Sequence, residues 1–257
     1  MKKPDEIAGV AVKVGEGKAR LPIYKMLLLG IMAGAFIALA GVAATFGNVY
    51  GGKIAGACIF PAGLAMVVVA GSELFTGNNL MSMALLDRKI GFLALLKNWA
   101  FVFLGNLIGA VAVAGVVVLS GAFDNIADTV VATATAKVSM GFFEAMLRGV
   151  LCNFLVCIAV WMAFGAETVS GKIIAVFFPI MVFVLCGFEH SVANMFYVPA
   201  GIFENLVNDT YGGALTAEGF LLNNLLPVTI GNIIGGALLV GGIYYLVYLK
   251  KQKVDKK

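Results

Sequence analysis

The chain has 257 residues, of which 61% are hydrophobic and only 12% are charged, with a mean hydropathy of +0.99. A soluble core of this size could not hide so much apolar surface, so the composition excludes a soluble globular protein and indicates an integral membrane protein. The net charge of +4 could suggest an anionic partner. Its placement along the chain is explained more simply by membrane topology, and we expect no nucleic-acid partner.

The first element is a segment at residues 5–20 with apolar residues at helical spacing. Ile7, Val10, Ala11 and Val14 form one stripe, and charged side chains occupy the rest of the helical wheel. This pattern predicts a short amphipathic helix at the membrane interface, with a frayed basic tail as the alternative. Pro22 separates the segment from the first apolar run.

Six apolar segments follow, each reaching the length of about 20 residues that a membrane-spanning helix needs. They lie at roughly 26–46, 58–86, 99–120, 142–164, 173–202 and 225–249. The sequence therefore predicts an all-α integral membrane protein with six transmembrane helices. We expect residues 1–257 to form a single membrane domain, because the remainder leaves no room for a soluble one.

The positive charges concentrate at one side of these six spans. They precede the first span, follow the second and the fourth, and end the chain, whereas the other three loops hold only Lys53 and Lys137. The positive-inside rule then predicts a multi-pass protein of the cell membrane with both termini in the cytoplasm. We expect no cleavable signal, because Lys2 and Lys3 precede a polar stretch.

Two halves of the chain repeat one another. Gly30 corresponds to Gly149, the Phe-Pro pair at 60–61 to that at 178–179, and the Gly-Asn pair at 105–106 to that at 231–232, always 116 to 126 residues apart. We place the first repeat at about 22–120 and the second at about 140–250. Because each repeat holds three spans, an odd number, the second must be inverted in the membrane.

The second and fifth spans each contain a polar interruption of the form Gly-x-Glu-x-x-x-x-Asn, at 71–78 and 187–194. Inverted repeats with broken helices place their interruptions together near the middle of the membrane. Irregular backbone is tolerated there only when it is buried in protein or lines a wet cavity. We therefore predict two broken helices around a pore, with kinked structural helices and no pore as the alternative.

The side chains of the interruptions suggest distinct roles. Glu73 and Glu189 are predicted to anchor the loops by hydrogen bonds, although a cation site or a proton carrier is an alternative. Ser72, Asn78 and Asn194 can satisfy backbone groups that the breaks release. We expect Asn78 and Asn194 to anchor the loops as well, and Ser72 to line the substrate pathway.

His190 is the only histidine in the chain and the strongest candidate for chemistry. An imidazole titrates near neutral pH and could pass a proton to a small anion, while Thr76 from the other interruption could donate a hydrogen bond into the same cavity. The alternative is a histidine of the protein core whose hydrogen bonds are satisfied and which has no chemical role. Lys137 and Arg148 could draw anions into an outer vestibule, or Arg148 could simply reach the interface.

The four cysteines lie in apolar spans without the spacing of a metal site, so we expect neither metal nor disulfide roles. We place no catalytic set and no cofactor site in the sequence, and an enzyme is not expected.

Four motifs resemble the formate/nitrite transporter family over essentially the whole chain: ELFTGN at 73–78, KNW at 97–99, LCNFLVC at 151–157 and GFEHSVANM at 187–195. The resemblance implies a homopentamer in the lipid bilayer whose aquaporin-like protomers each have a pore. It also implies transport of a small monovalent anion of a weak acid, such as formate, nitrite or hydrosulfide. We expect a proton to neutralise the anion near His190, because a bare anion between apolar constrictions would cost on the order of ten kcal/mol or more.

The resemblance also assigns pore positions. Phe60 and Phe183 correspond to an outer constriction, with Leu64, Leu74 and Phe75 as an inner one and with His190 and Thr76 between them. Asn153 is similar to a polar pore-side residue, Lys137 to a basic residue at the outer side, and Lys18 to an amino-terminal lysine. A water or glycerol facilitator is the rival function, but such channels carry Asn-Pro-Ala in each loop, and no proline here follows an asparagine.

Overall fold

The structure is a computed structural model that describes residues 1–208 and 215–250, and this part of the chain is helical throughout with short connections. Helix α1 spans Pro4–Ala19 and buries Ile7, Ala8 and Ala11. The Ile7 side chain lies against Gly165, so α1 is docked on the helical bundle and is not a frayed tail.

The first apolar run is longer than one crossing. Helix α2 spans Ile23–Ile59 and helix α3 spans Pro61–Ala70, and together they would extend about 72 Å, more than twice the hydrocarbon thickness. Gly52 reverses the chain with φ of 78°, a value that favours glycine. Gly63 of α3 consequently lies against Ala40 of α2. This run therefore contains the first crossing and the first half of the second.

The rest of the first half completes the second crossing and forms the third, with α4 at Phe75–Asn78, α5 at Ser82–Leu86 and α6 at Phe92–Leu119. The second half contains α7 at Ala127–Val138, α8 at Phe142–Gly165, α9 at Val169–Cys186, α10 at Ser191–Asn208 and α11 at Gly219–Tyr248. Helix α11 has π-helical stretches at Gly219–Leu225 and Ile234–Gly242.

The described helices make six crossings in two inverted repeats, the arrangement of an aquaporin-like protomer. The first and third helices of each repeat run parallel: α2 packs on α6, and α8 packs on α11. The correspondence extends beyond the repeat boundaries inferred from sequence, to α1 and α7. Lys18 in α1 and Lys137 in α7 are 119 residues apart, the same separation as Gly30 and Gly149.

Glycines bring the parallel helices of each repeat into backbone contact. A methyl group on Gly109 would overlap the Ile31 carbonyl oxygen, and one on Gly235 would overlap that of Val150. These contacts have no room for a side chain, because backbone cannot move aside as a flexible side chain can.

We expect Gly109→Ala to destabilise the protein by about 1–3 kcal/mol, because α2 and α6 must separate to admit the methyl group. Gly115→Ala in the same helix is the matched control, since its methyl group would meet only the Phe203 ring at 3.7 Å. Thermal unfolding in detergent measures the difference. Equal melting temperatures for the two variants would contradict the packing argument.

Candidate functional site

Each interruption begins at a glycine with left-handed backbone. Gly71 ends α3 with φ of 77°, and Gly187 ends α9 with φ of 70°. A side chain at either position would be strained in this conformation. The chain then runs extended for a few residues before α4 begins at Phe75 and α10 begins at Ser191.

A single asparagine from the third helix of each repeat holds the broken backbone. The Asn106 side chain accepts from the Phe75 N–H at 2.9 Å and donates to the carbonyls of Gly30 and Glu73 at 2.8 and 2.9 Å. Asn232 accepts from the Ser191 N–H and donates to the carbonyls of Gly149 and Glu189 at 2.9, 2.8 and 3.0 Å. Each amide thus satisfies backbone groups that the break would otherwise leave unpaired in the membrane.

Both loop glutamates are buried, and each forms an ion pair with a lysine. Glu73 accepts from Lys18 Nζ at 2.6 Å and from Asn78 at 2.7 Å. Glu189 accepts from Lys137 Nζ at 2.9 and 3.0 Å and from Asn194 at 2.6 Å. The carboxylates are compensated by lysines from α1 and α7, which lie at equivalent positions of the two repeats.

Two further asparagines complete these clusters and were not singled out from the sequence. Asn98 accepts from the Asn78 amide at 2.8 Å and donates to the Lys18 carbonyl at 3.3 Å. Asn224 accepts from Asn194 at 2.8 Å and donates to the carbonyl of Lys137 at 3.0 Å. Their separation of 126 residues, shared with Asn106 and Asn232, was the available signal.

Three cavities lie in a row through the protomer. A cavity of about 220 Å³, here called the Lys18 vestibule, is lined by Lys18, Ser72 and Glu73 among others. A cavity of about 200 Å³, the Lys137 vestibule, is lined by Lys137, Glu189 and hydroxyl groups of α7. Between them lies a central cavity of about 10 Å³, which holds at most about one water molecule.

Apolar side chains separate the three cavities. Phe60 and Phe183 line both the central cavity and the Lys137 vestibule, with ring centroids 5.8 Å apart. Leu64 and Leu74 line both the central cavity and the Lys18 vestibule. Phe75, assigned to the inner constriction by the resemblance, is placed elsewhere: its ring packs on Trp99 and Phe103 because Asn106 holds its backbone facing α6.

His190 is the polar side chain of the central cavity, and its hydrogen bonds fix its tautomer. Nδ1 accepts from the Ala193 N–H at 3.0 Å, so the neutral ring carries its proton on Nε2. Nε2 lies 2.9 Å from Thr76 Oγ1 and donates to it. The imidazole also stacks on Phe183, with ring centroids 5.8 Å apart.

Other expected pathway residues are placed behind the cavities or at their edge. Thr76 is fully buried and reaches the central cavity only through His190. Ser72 lines the Lys18 vestibule. Asn153 lines neither vestibule nor the central cavity. Its amide donates to the carbonyls of Thr76 and Asn232 and so ties α4 to α11, and its assignment to the pore side stays a prediction.

We expect Lys137→Met to destabilise the protein by about 3–5 kcal/mol, because it leaves the buried Glu189 carboxylate without its cation. Arg20→Met is the control: it removes an exposed ion pair with Glu16 and should cost about 1 kcal/mol or less. Unfolding in detergent measures both. Adding Glu189→Gln to Lys137→Met should restore part of the loss, and a double variant as unstable as the single one would contradict the pairing.

Comparisons with known proteins place this arrangement among membrane transporters. A family model described as formate/nitrite transporter matches residues 5–246. The chain is 42% identical to an uncharacterised transporter, YrhG, of Bacillus subtilis over all of this chain and 97% of the relative. It is 38% identical to the formate channel FocA of Escherichia coli, covering 96% and 95% of the two chains. A solved pentameric formate channel with formate bound has a TM-score of 0.77 and 34% identity, over 89% of this chain and 98% of its own.

Proposed function

Because the chain belongs to the formate/nitrite transporter family, we propose that it conducts small monovalent anions of weak acids through the three cavities of each protomer, with formate as the first candidate. Formate is favoured because two of the most similar relatives are named as a formate channel and a probable formate transporter. Nitrite and hydrosulfide are likewise small, monovalent bases of weak acids. The observation that carries the proposal is a lone imidazole in an otherwise apolar constriction between two polar vestibules.

The size of the central cavity determines the form in which the anion crosses. At about 10 Å³ it has no space for a hydration shell. A bare anion between apolar rings would cost on the order of ten kcal/mol or more, against a few for a neutral acid. The falling dielectric raises the pKa of the anion's conjugate acid, so the anion takes up a proton as it leaves the vestibule. Flux then follows the combined gradients of anion and proton.

His190 supplies a hydrogen-bond donor at the point where the solute has lost its water. Without solute its Nε2–H donates to Thr76, and the passing solute takes the place of Thr76 as the acceptor. Protonating Nδ1 as well would break the bond from the Ala193 N–H. The ring therefore acts as a neutral donor beside the site of neutralisation, and the proton reaches the anion from the solvent side.

The assembly and orientation complete the proposal. The pentameric formate channel of similar structure supports a homopentamer with one pathway per protomer. The distribution of lysine and arginine supports cytoplasmic termini and places the Lys18 vestibule on the cytoplasmic side. The protein mass of the purified detergent complex, with the bound detergent subtracted, should be five times the chain mass of 26.9 kDa.

Purified protein in proteoliposomes tests the substrate class. Formate, nitrite and hydrosulfide uptake should each be faster than in empty vesicles and should rise as the external pH falls from 8 to 6. Glycerol and urea are the matched neutral solutes. Uptake of these neutral solutes without any anion flux would overturn the proposal in favour of a neutral-solute facilitator.

His190 variants test the role of the imidazole. His190→Asn keeps a donor but cannot titrate, so its formate flux should still rise as the pH falls. His190→Phe removes the donor and should reduce flux by about fivefold to tenfold, the effect of one lost hydrogen bond. A pH-independent flux through His190→Asn would show that the imidazole itself supplies the proton.

A further inference from the structure

The two vestibules differ in net charge although the repeats that form them are equivalent. Among the described residues that line the Lys137 vestibule, the charged ones are Lys137 and Glu189, which pair with each other. The Lys18 vestibule is lined by the equivalent pair, Lys18 and Glu73, and in addition by Lys172. One lining therefore carries no net charge, and the other carries one positive charge.

Lys172 is the source of this difference, and the part of the chain that the structure describes gives its ammonium no ion pair and no side-chain hydrogen bond. It is half-buried in the first turn of α9, which Thr168 caps through the Gly171 N–H. A cation in the first turn of a helix is disfavoured by the helix dipole. Helix stability therefore does not account for a lysine at this position.

The other side of the protomer has no equivalent. The lysine nearest to the matching position of the first repeat is Lys53, which is exposed beside Gly52 and does not line the Lys137 vestibule. Arg148, the remaining cation near that vestibule, pairs with Glu144 at 2.7 Å and donates to the Gly187 carbonyl. Among the residues that the structure describes, an unpaired cation thus lines the Lys18 vestibule and not the Lys137 vestibule.

We propose that Lys172 is a capture residue, which concentrates the small anion in the Lys18 vestibule before neutralisation. This inference rests on the proposed function, since it needs an anionic solute. A positive charge in a narrow vestibule raises the local anion concentration, and salt weakens the effect because screening extends over about 10 Å at 0.1 M. The half-saturating anion concentration should therefore be lower, and more sensitive to salt, from the Lys18 side.

Detailed balance restricts which transport constants a charge in one vestibule can change. With equal pH on both sides, a passive pathway has the same permeability in both directions at low anion concentration. Removing the charge lowers this permeability equally for both directions. Of the two half-saturating concentrations, only the one measured from the Lys18 side rises, because only that vestibule loses affinity for the anion.

The charge of the side chain at position 172 can be varied by chemical modification of a single cysteine variant. Lys172→Cys is made in a Cys58→Ser, Cys186→Ser background, because those two cysteines are exposed whereas Cys152 and Cys157 are buried. Membrane-impermeant methanethiosulfonate reagents bearing an ammonium or a sulfonate group then attach either charge. The same background with Lys97→Cys, an exposed lysine of α6 outside the vestibule lining, is the matched control.

In proteoliposomes at low ionic strength, Lys172→Cys should raise the half-saturating formate concentration from the Lys18 side by about twofold to fivefold, the effect of one partly screened charge. The ammonium reagent should reverse the change, the sulfonate reagent should increase it, and 0.5 M salt should abolish it. Identical values after both reagents, or an equal response in Lys97→Cys, would overturn the role of Lys172. Absence of any anion flux through the unmodified background would overturn the proposed function as well.

Discussion

A backbone that leaves its helix halfway through a membrane must find hydrogen-bond partners within the protein, and this requirement organises the molecule. At each break one asparagine amide bridges the restarting helix, the loop carbonyl and the first helix of the repeat. The nearby glutamates are held by a lysine and by further asparagines. The ion pairs line the two vestibules, whereas the central cavity between them is lined by apolar side chains and His190.

The two repeats share one helical scaffold, but the side chains that they contribute to the central cavity differ. The central cavity is lined by equivalent pairs from the two repeats, Ile37 with Val156, Leu64 with Ile180, and Leu74 with His190. In the last pair an aliphatic side chain stands opposite an imidazole. Phe60 and Phe183 close the side of the cavity on which His190 lies, whereas Leu64 and Leu74 close the other side. The two-fold relation of the repeats therefore fixes the position of the constriction, whereas the positions at which the repeats carry different residues make its two ends unequal.

Much of this architecture could be predicted from the sequence because its signals are local. Six apolar runs, glycines before each break and the repeated Gly-x-Glu-x-x-x-x-Asn spacing indicate the crossings and the interruptions. The partners of Glu73 and Glu189 could not be derived in this way, because the lysines come from separate helices whose docking has no pattern in the sequence. The contacts of Phe75 and Asn153 likewise could not be derived, because they depend on how α4 and α8 are rotated against their neighbours.

The π-helical stretch of α11 distinguishes the two halves in another way. A π turn accommodates an additional residue and displaces carbonyl groups from their usual partners. Ser82 of α5 donates to the carbonyl of Ala237, which lies in this π-helical stretch, and so joins the second crossing of the first half to the last helix of the second half. The equivalent of Ser82 is Val198, which has no hydroxyl to donate, and α6 is a regular helix. This hydrogen bond therefore runs from the first half to the second without a counterpart from Val198, and exchanging the order of the halves along the chain would not recreate the same molecule.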